Sequence, residues 1–308
     1  MNVKNLNYLR LPISQYLHKE IAITTIATAL NSGHISIFLG AGISKSANPD
    51  FPSWSELVRI ISQNGGIKFD ENKKDNNSYL LSQIELVKTK FTDNTDYLDC
   101  VKNALFSKVK YNNSLMNLKL LIAIGSLMMI SINNKSSEFI NFNFDDLFEW
   151  YLEYYSYSIQ IVEDPTNMIG NANSIIYHPH GFLPKLKKFE GQKSNYLTFS
   201  LDDYDKAMRL DGEWSIVLKK ILTSKLVIMI GLSGEDGHIR SMCSLVYEKI
   251  LKKERPLGFI ILPDTEENRQ SEPLNLNRGL IHLYIEHDEL AEILLKICRK
   301  SQGIEEDD

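Results

Sequence analysis

Apolar and polar positions along this 308-residue chain switch between two periods, about 3.6 and 2, and their order lays out the elements. Leu17, Ile21, Ile26 and Leu30, with alanines between them, repeat at helical spacing over 13 to 30, and Asn31-Ser32-Gly33 closes the run. Ile35-Ser36-Ile37-Phe38-Leu39 follows, mostly apolar and β-branched or aromatic, as expected of a parallel strand buried on both faces. After a loop from Ser44 to Pro52, Ser53-Trp54-Ser55-Glu56 has the spacing of a capping box, and Trp54, Leu57, Val58 and Ile61 share one face of the helix it opens. The polar residues 64 to 78 read as an exposed loop. Helical patterns near 79 to 90, 96 to 109 and 113 to 131 come next with no strand between them, which predicts a helical insertion over approximately 64–135.

Alternation resumes with a strand at Phe139 to Phe144 and a helix at Asp145 to Tyr154. Further strands are predicted at 158–162, 174–177, 226–230, 257–262 and 280–285, with helices at 202–210, 214–223, 236–251 and 288–300 between them. That order predicts an α/β fold, a largely parallel sheet with helices on both faces, in a single domain spanning 1–308. Residues 1–12 read as a loosely held arm and the acidic tail Glu305 to Asp308 as frayed.

Composition narrows the function classes. Hydrophobic residues at 43% and charged residues at 24% are those of a soluble globular chain with a sizeable core. A net charge of −5 argues against a surface built to neutralise phosphates, so no strong intrinsic nucleic-acid binding is expected, although a local basic patch is compatible with it. Cys100, Cys243 and Cys298 form no Cys-x-x-Cys pair, which suggests neither a zinc site nor a disulfide framework and fits a reducing, cytoplasmic setting. The N-terminus lacks the pattern of a signal peptide, and the longest uncharged apolar stretch, Leu120 to Ile132, is short of the ~20 residues that span a bilayer, so no membrane association is expected.

Four stretches at strand ends carry candidate chemistry. In Gly40-Ala41-Gly42 the missing Cβ atoms permit positive φ and let peptide N–H groups face an anion such as a pyrophosphate; a merely tight turn fits the same residues. Lys45 stands where a dinucleotide fingerprint would have its third glycine, and no Gly-Lys-Ser/Thr phosphate loop is present. Asn143 and Asp145 lie where a strand gives way to a helix; Asp145 suits either a site or a simple N-cap, and a buried amide at Asn143 needs partners. In His178-Pro179-His180-Gly181 no third ligand of recognisable spacing supports a metal, so His180 is read as an acid/base group or as a structural turn histidine. Gly231-Leu232-Ser233-Gly234-Glu235-Asp236 ends another strand and can offer a hydroxyl and main-chain N–H groups to a ribose or phosphate, or be an ordinary glycine turn with Asp236 capping the next helix. Glu235 stands where a serine-hydrolase elbow needs glycine. Trp54 reads as a core anchor before a ligand contact.

Taken in this order, the motifs resemble those of the sirtuin family, the silent-information-regulator-two-like proteins. Gly40-Ala41-Gly42-Ile43-Ser44 is similar to its Gly-Ala-Gly-x-Ser turn, Asn143-Phe144-Asp145 to its Asn-x-Asp, His180-Gly181 to its His-Gly, and Gly231-Leu232-Ser233 to its Gly-Thr/Tyr-Ser. The resemblance implies a Rossmann-like sheet, NAD⁺ as substrate, Asn143, Asp145 and His180 as catalytic residues, and Gly40, Ala41, Gly42, Ser44, Gly231, Ser233 and Asp236 as its binding residues. The chain departs from the deacetylase branch: it lacks a four-cysteine zinc module, carries the helical stretch from about 64 to 135, and has Phe51-Pro52-Ser53-Trp54 in place of Ile-Pro-x-Phe-Arg. Those departures resemble the zinc-free bacterial branch that hydrolyses NAD⁺ in anti-phage defence. In that branch a homo-oligomer, a HerA-like ATPase or a short Argonaute partner is expected. A protein deacylase, an ADP-ribosyltransferase and a silent NAD⁺ or ADP-ribose sensor are the rival expectations.

Overall fold

The computed structural model describes residues 11–135, 138–167, 174–207, 209, 212–234, 236–286 and 288–304. The expected tail at 305–308 and all of the arm but residues 11 and 12 lie outside them. Helices α1 (Ile13–Tyr16) and α2 (Lys19–Asn31) lead into β1 (Ile35–Leu39) and then α3 (Ala41–Ala47). Helices α4 (Trp54–Asn64), α5 (Asn77–Lys88), α6 (Asn94–Leu105) and α7 (Lys119–Asn133) precede β2 (Glu138–Asn141). Next come α8 (Leu147–Tyr154), β3 (Ile159–Val162), β4 (Ser174–Tyr177), α9 (Leu201–Ala207), α10 (Glu213–Ser224) and β5 (Leu226–Ile230). Helix α11 (Gly237–Leu245), β6 (Gly258–Pro263), α12 (Glu266–Leu276), β7 (Leu280–Ile285) and α13 (Leu290–Ser301) complete the order.

Seven strands form one sheet in the order β3-β4-β2-β1-β5-β6-β7, and every pairing is parallel. Period-2 alternation divides the central strands between two cores. Ile35, Ile37 and Leu39 of β1, with Leu226, Ile228 and Ile230 of β5, face one side, while Phe38, Val227 and Met229 face the other. The first core is covered by α2, α7 and α13, the second by α10 and α11. Burial of both faces is what makes these strands read as unbroken apolar runs. Of the helices expected in the insertion, α5 and α6 pack on α4, while α7 lies against α2 and α13. Among the described residues no helix is long and apolar enough to cross a membrane.

Three local differences from the sequence reading have physical causes. Residues Ala41–Ala47, expected to be mostly loop, form α3: Ile43, Ser44 and Ala47 make a buried face, and the helix contacts α7. Tertiary packing here overrides a glycine-containing stretch of weak helical propensity. The strand expected over 139–144 ends at Asn141, because the Asn141 side-chain oxygen accepts the Asn143 N–H at 3.1 Å and turns the chain out of the ladder. Helix α12 escaped the pattern because it buries only Asn275 and contains Pro273.

Candidate functional site at the switch point

The chain runs outward from β1 through β2 to the β3 edge, then returns to place β5 on the other side of β1. The reversal between β1 and β5 creates a switch point, where open α/β sheets bind ligands beyond the carboxyl ends of their strands. All four candidate motifs leave the sheet at this carboxyl edge, from β1, β2, β4 and β5, which are side by side in the order β4-β2-β1-β5.

The two glycine turns are packed together. Gly40 N–H donates to the Ile230 carbonyl and Gly42 N–H to the Gly231 carbonyl, both at 3.0 Å. A Cβ on Gly40 would lie 2.3 Å from Leu232 Cδ2, and one on Gly42 2.9 Å from Gly231 Cα. Gly40 is extended, with φ −133°, so space rather than positive φ explains glycine at that position. Gly231, by contrast, has φ +70°. The Gly42 amide is committed to Gly231, while Ala41 and Gly42 are themselves exposed.

Asn143 and Asp145 converge on Ser44 at the start of α3. The Asn143 amide nitrogen donates to the Gly40 carbonyl and to Ser44 Oγ, each at 3.2 Å. Ser44 Oγ–H donates to Asp145 Oδ1 at 2.9 Å, and the same oxygen accepts the Leu147 N–H at 3.1 Å. Asp145 thus holds the first amide of α8 and the Ser44 hydroxyl together. Burial pushes its carboxyl up to about 7, against those two hydrogen bonds. Asn143 is 7% exposed, and its side-chain oxygen has no hydrogen-bond partner.

His180, 6% exposed, also has a buried atom without a hydrogen bond, Nε2. Its ring meets Phe142 edge-on at 5.0 Å and Tyr204 of α9 at 5.6 Å. Burial lowers its pKa below the ordinary histidine value of 6.5, and Asp236, whose Oδ2 is 3.6 Å from Nε2, opposes the shift. Asp236 also caps α11, accepting the Ile239 N–H at 2.9 Å, and accepts the Tyr204 hydroxyl at 3.0 Å. The structure therefore places Asp236 beside His180. Ser233 is exposed on the β5 turn, and Glu235 lies outside the described residues.

Asn143 and His180 are brought to the same carboxyl edge on adjacent strands. Phe142, between β2 and Asn143, packs on both Phe38 of β1 and His180. His178 turns to the Asn143 carbonyl and to Glu149, and among the described residues no group of three or more His, Cys, Asp or Glu is arranged to hold a metal. A cavity of about 160 Å³ beside Tyr196 and Trp214, and one of about 440 Å³ beside Phe69 and Tyr79, are lined by neither Asn143 nor His180.

Sequence reasoning did not single out Asn141, Glu149 or His238. The signal for Glu149 was an acid within the apolar run Leu147 to Leu152, on a helix that buries Leu147, Phe148, Tyr151 and Leu152 around it. His238, at the start of α11, is fully buried with neither ring nitrogen hydrogen-bonded, and burial together with nearby His180 pushes it down to about 4.

Fold and site define an all-parallel, doubly wound α/β protein with a polar, largely buried cluster at its switch point. Residues 137–283 match the family model described as SIR2-like domain, which supports the sirtuin-like resemblance. SIR2-like domains are NAD-utilising enzymes. The matched stretch contains Asn143, Asp145, His180, Gly231, Ser233 and Asp236, whereas Gly40 to Ser44 precede it. A search of curated proteins finds no match.

Proposed function

We propose that the protein is an NAD⁺ hydrolase, releasing nicotinamide and ADP-ribose, and that it acts as an abortive-infection effector against phage. One observation carries the chemistry: the Asn143 side-chain oxygen and His180 Nε2 are buried, make no hydrogen bond, and lie on one carboxyl edge with the glycine turns. Buried polar atoms are ordinarily paired, so two bare ones at a switch point suit a polar reactant that supplies the missing bonds. The SIR2-like match over residues 137–283 supports NAD⁺ as that reactant.

In the proposed reaction the bond between ribose C1′ and the nicotinamide nitrogen breaks, and its electron pair leaves with nicotinamide, cancelling the ring's positive charge. The sugar passes through an oxocarbenium-like state, as in glycoside cleavage. The Asn143 oxygen accepts from the ribose or from the attacking water and aligns it with C1′. Water adds to C1′, and its proton passes to His180, which burial keeps neutral near pH 7. Asp145 holds Ser44 and thereby the Asn143 amide. The exposed turn at Ala41–Gly42 faces the pyrophosphate, with Ser233 toward the adenosine half. The motif resemblance to the zinc-free branch implies control through a homo-oligomer, a HerA-like ATPase or a short Argonaute protein.

The test is nicotinamide release from NAD⁺ by the wild type, Asn143→Ala and His180→Ala, each alone and with a candidate partner. Each substitution is expected to lower turnover by about 10²- to 10⁴-fold. Equal rates in all three proteins would remove the assignment.

A further inference from the structure

We propose that Asn141, Glu149 and His178 form a clamp that positions the Asn143 peptide, and with it the reactive amide; this inference rests on the hydrolase reading above. The three side chains are 1%, 0% and 0% exposed. Asn143 lies just beyond the end of β2, so its peptide groups have lost the ladder that holds the strand. Side chains replace it on both sides. The Asn141 oxygen accepts the Asn143 N–H at 3.1 Å, and His178 Nδ1 lies 3.1 Å from the Asn143 carbonyl.

A carbonyl oxygen only accepts, so the hydrogen bond at Nδ1 requires the proton to be on that nitrogen. His178 Nε2 then meets Glu149 Oε1 at 3.1 Å, with one proton between them. The same Glu149 oxygen accepts the Asn141 amide N–H at 2.9 Å. A single carboxyl oxygen therefore joins the residue that grips the N–H to the residue that grips the carbonyl. Losing Glu149 would leave both Asn141 and His178 free to rotate away from Asn143.

Glu149 pairs the buried Asn141 amide and His178 Nε2, while its own second oxygen is buried without a hydrogen bond and carries a desolvation penalty. What the carboxyl does supply is the choice of histidine tautomer and a fixed peptide at Asn143, in the manner of groups that orient a catalytic side chain through another residue. A misplacement of a reacting group by about 1 Å is worth about 10²-fold in rate.

The experiment compares wild type, Glu149→Gln and Glu149→Leu by thermal melting, by kcat and KM for NAD⁺, and by ¹⁵N NMR of the imidazole nitrogens. One glutamine atom in the place of Oε1 either accepts from Asn141 or donates to His178 Nε2 and cannot do both, so Glu149→Gln keeps half of the clamp and its kcat is expected to fall between those of the wild type and Glu149→Leu. Leucine is expected to lower kcat by about 10²-fold with little change in KM. In the wild type, His178 is expected to carry a proton on Nδ1. A wild-type His178 protonated on Nε2 alone, or a folded Glu149→Leu protein with wild-type kcat, would overturn the clamp. If Glu149→Leu does not fold, the wild-type spectrum decides. Should the wild type release no nicotinamide in any state, the hydrolase reading fails by itself, and the NMR result still tests the clamp.

Discussion

Asp145 shows how one buried carboxyl ties stability to pH. Its carboxyl is moved from 3.8 to about 7 in the folded state, chiefly by burial. Below pH 3.8 the folded and unfolded chains both hold the proton; between 3.8 and about 7 only the folded chain does. The unfolded state therefore binds fewer protons across that window, and stability falls as pH rises through it. The full effect is on the order of 4 kcal/mol. Asp145→Asn keeps an oxygen for the Leu147 N–H and the Ser44 hydroxyl, and is expected to melt above the wild type at pH 8, with the difference shrinking toward pH 4. Calorimetry across that range is the measurement. Asp145 was readable in the sequence both as a cap and as a site residue, and it bonds both Leu147 and Ser44. The bare oxygen on Asn143 was not readable, because orphaning depends on which neighbours arrive and how they point. Asp236 caps α11, as one of its two sequence readings had it, but its other partners, Tyr204 and His180, come from distant segments and left no local mark.

Among the elements, those specified by local chemistry were the most legible. Helix α4 begins where the capping box predicts: the Ser53 side chain accepts the Glu56 N–H at 3.4 Å, and the Glu56 carboxylate accepts the Ser53 N–H at 2.7 Å. Ser53→Ala is expected to lower unfolding free energy by about 1 kcal/mol, measured in urea, because one amide of the first turn loses its acceptor. Strands β4, β5 and β7 occupy the residues predicted for them, since a strand apolar on both faces has sharp chemical edges. Helix α3 was illegible because its helical state depends on contact with α7, far along the chain. Helix α12 carried a quieter signal, Thr265 capping the Asn268 N–H with Glu266 and Glu267 in the first turn, but no apolar stripe to draw attention to it. Helix α9 has no buried residue, and reaches His180 through Tyr204.

For the molecule as a whole, the sequence conveyed alternating strands and helices but not their lateral order. Parallel ladders leave no local mark of which strand neighbours which, so the position of β1 between β2 and β5 emerges only from the assembled sheet. That position matters because the SIR2-like match begins at residue 137, beyond β1. A fragment of residues 138–304 would lack the strand paired to both β2 and β5, and is expected to show no cooperative thermal transition by circular dichroism, unlike the full chain. The mutual bonding of the Gly40–Gly42 and Gly231 turns extends this dependence to synthesis. While the chain is still emerging from the ribosome and stops short of Ile230, Asn143 and Asp145 are already present to hold Ser44, but the Gly40 and Gly42 amides have no acceptors. A half-made protein accordingly holds those two amides bare, and the crevice at the sheet's carboxyl edge is completed only when the second wing closes against the first.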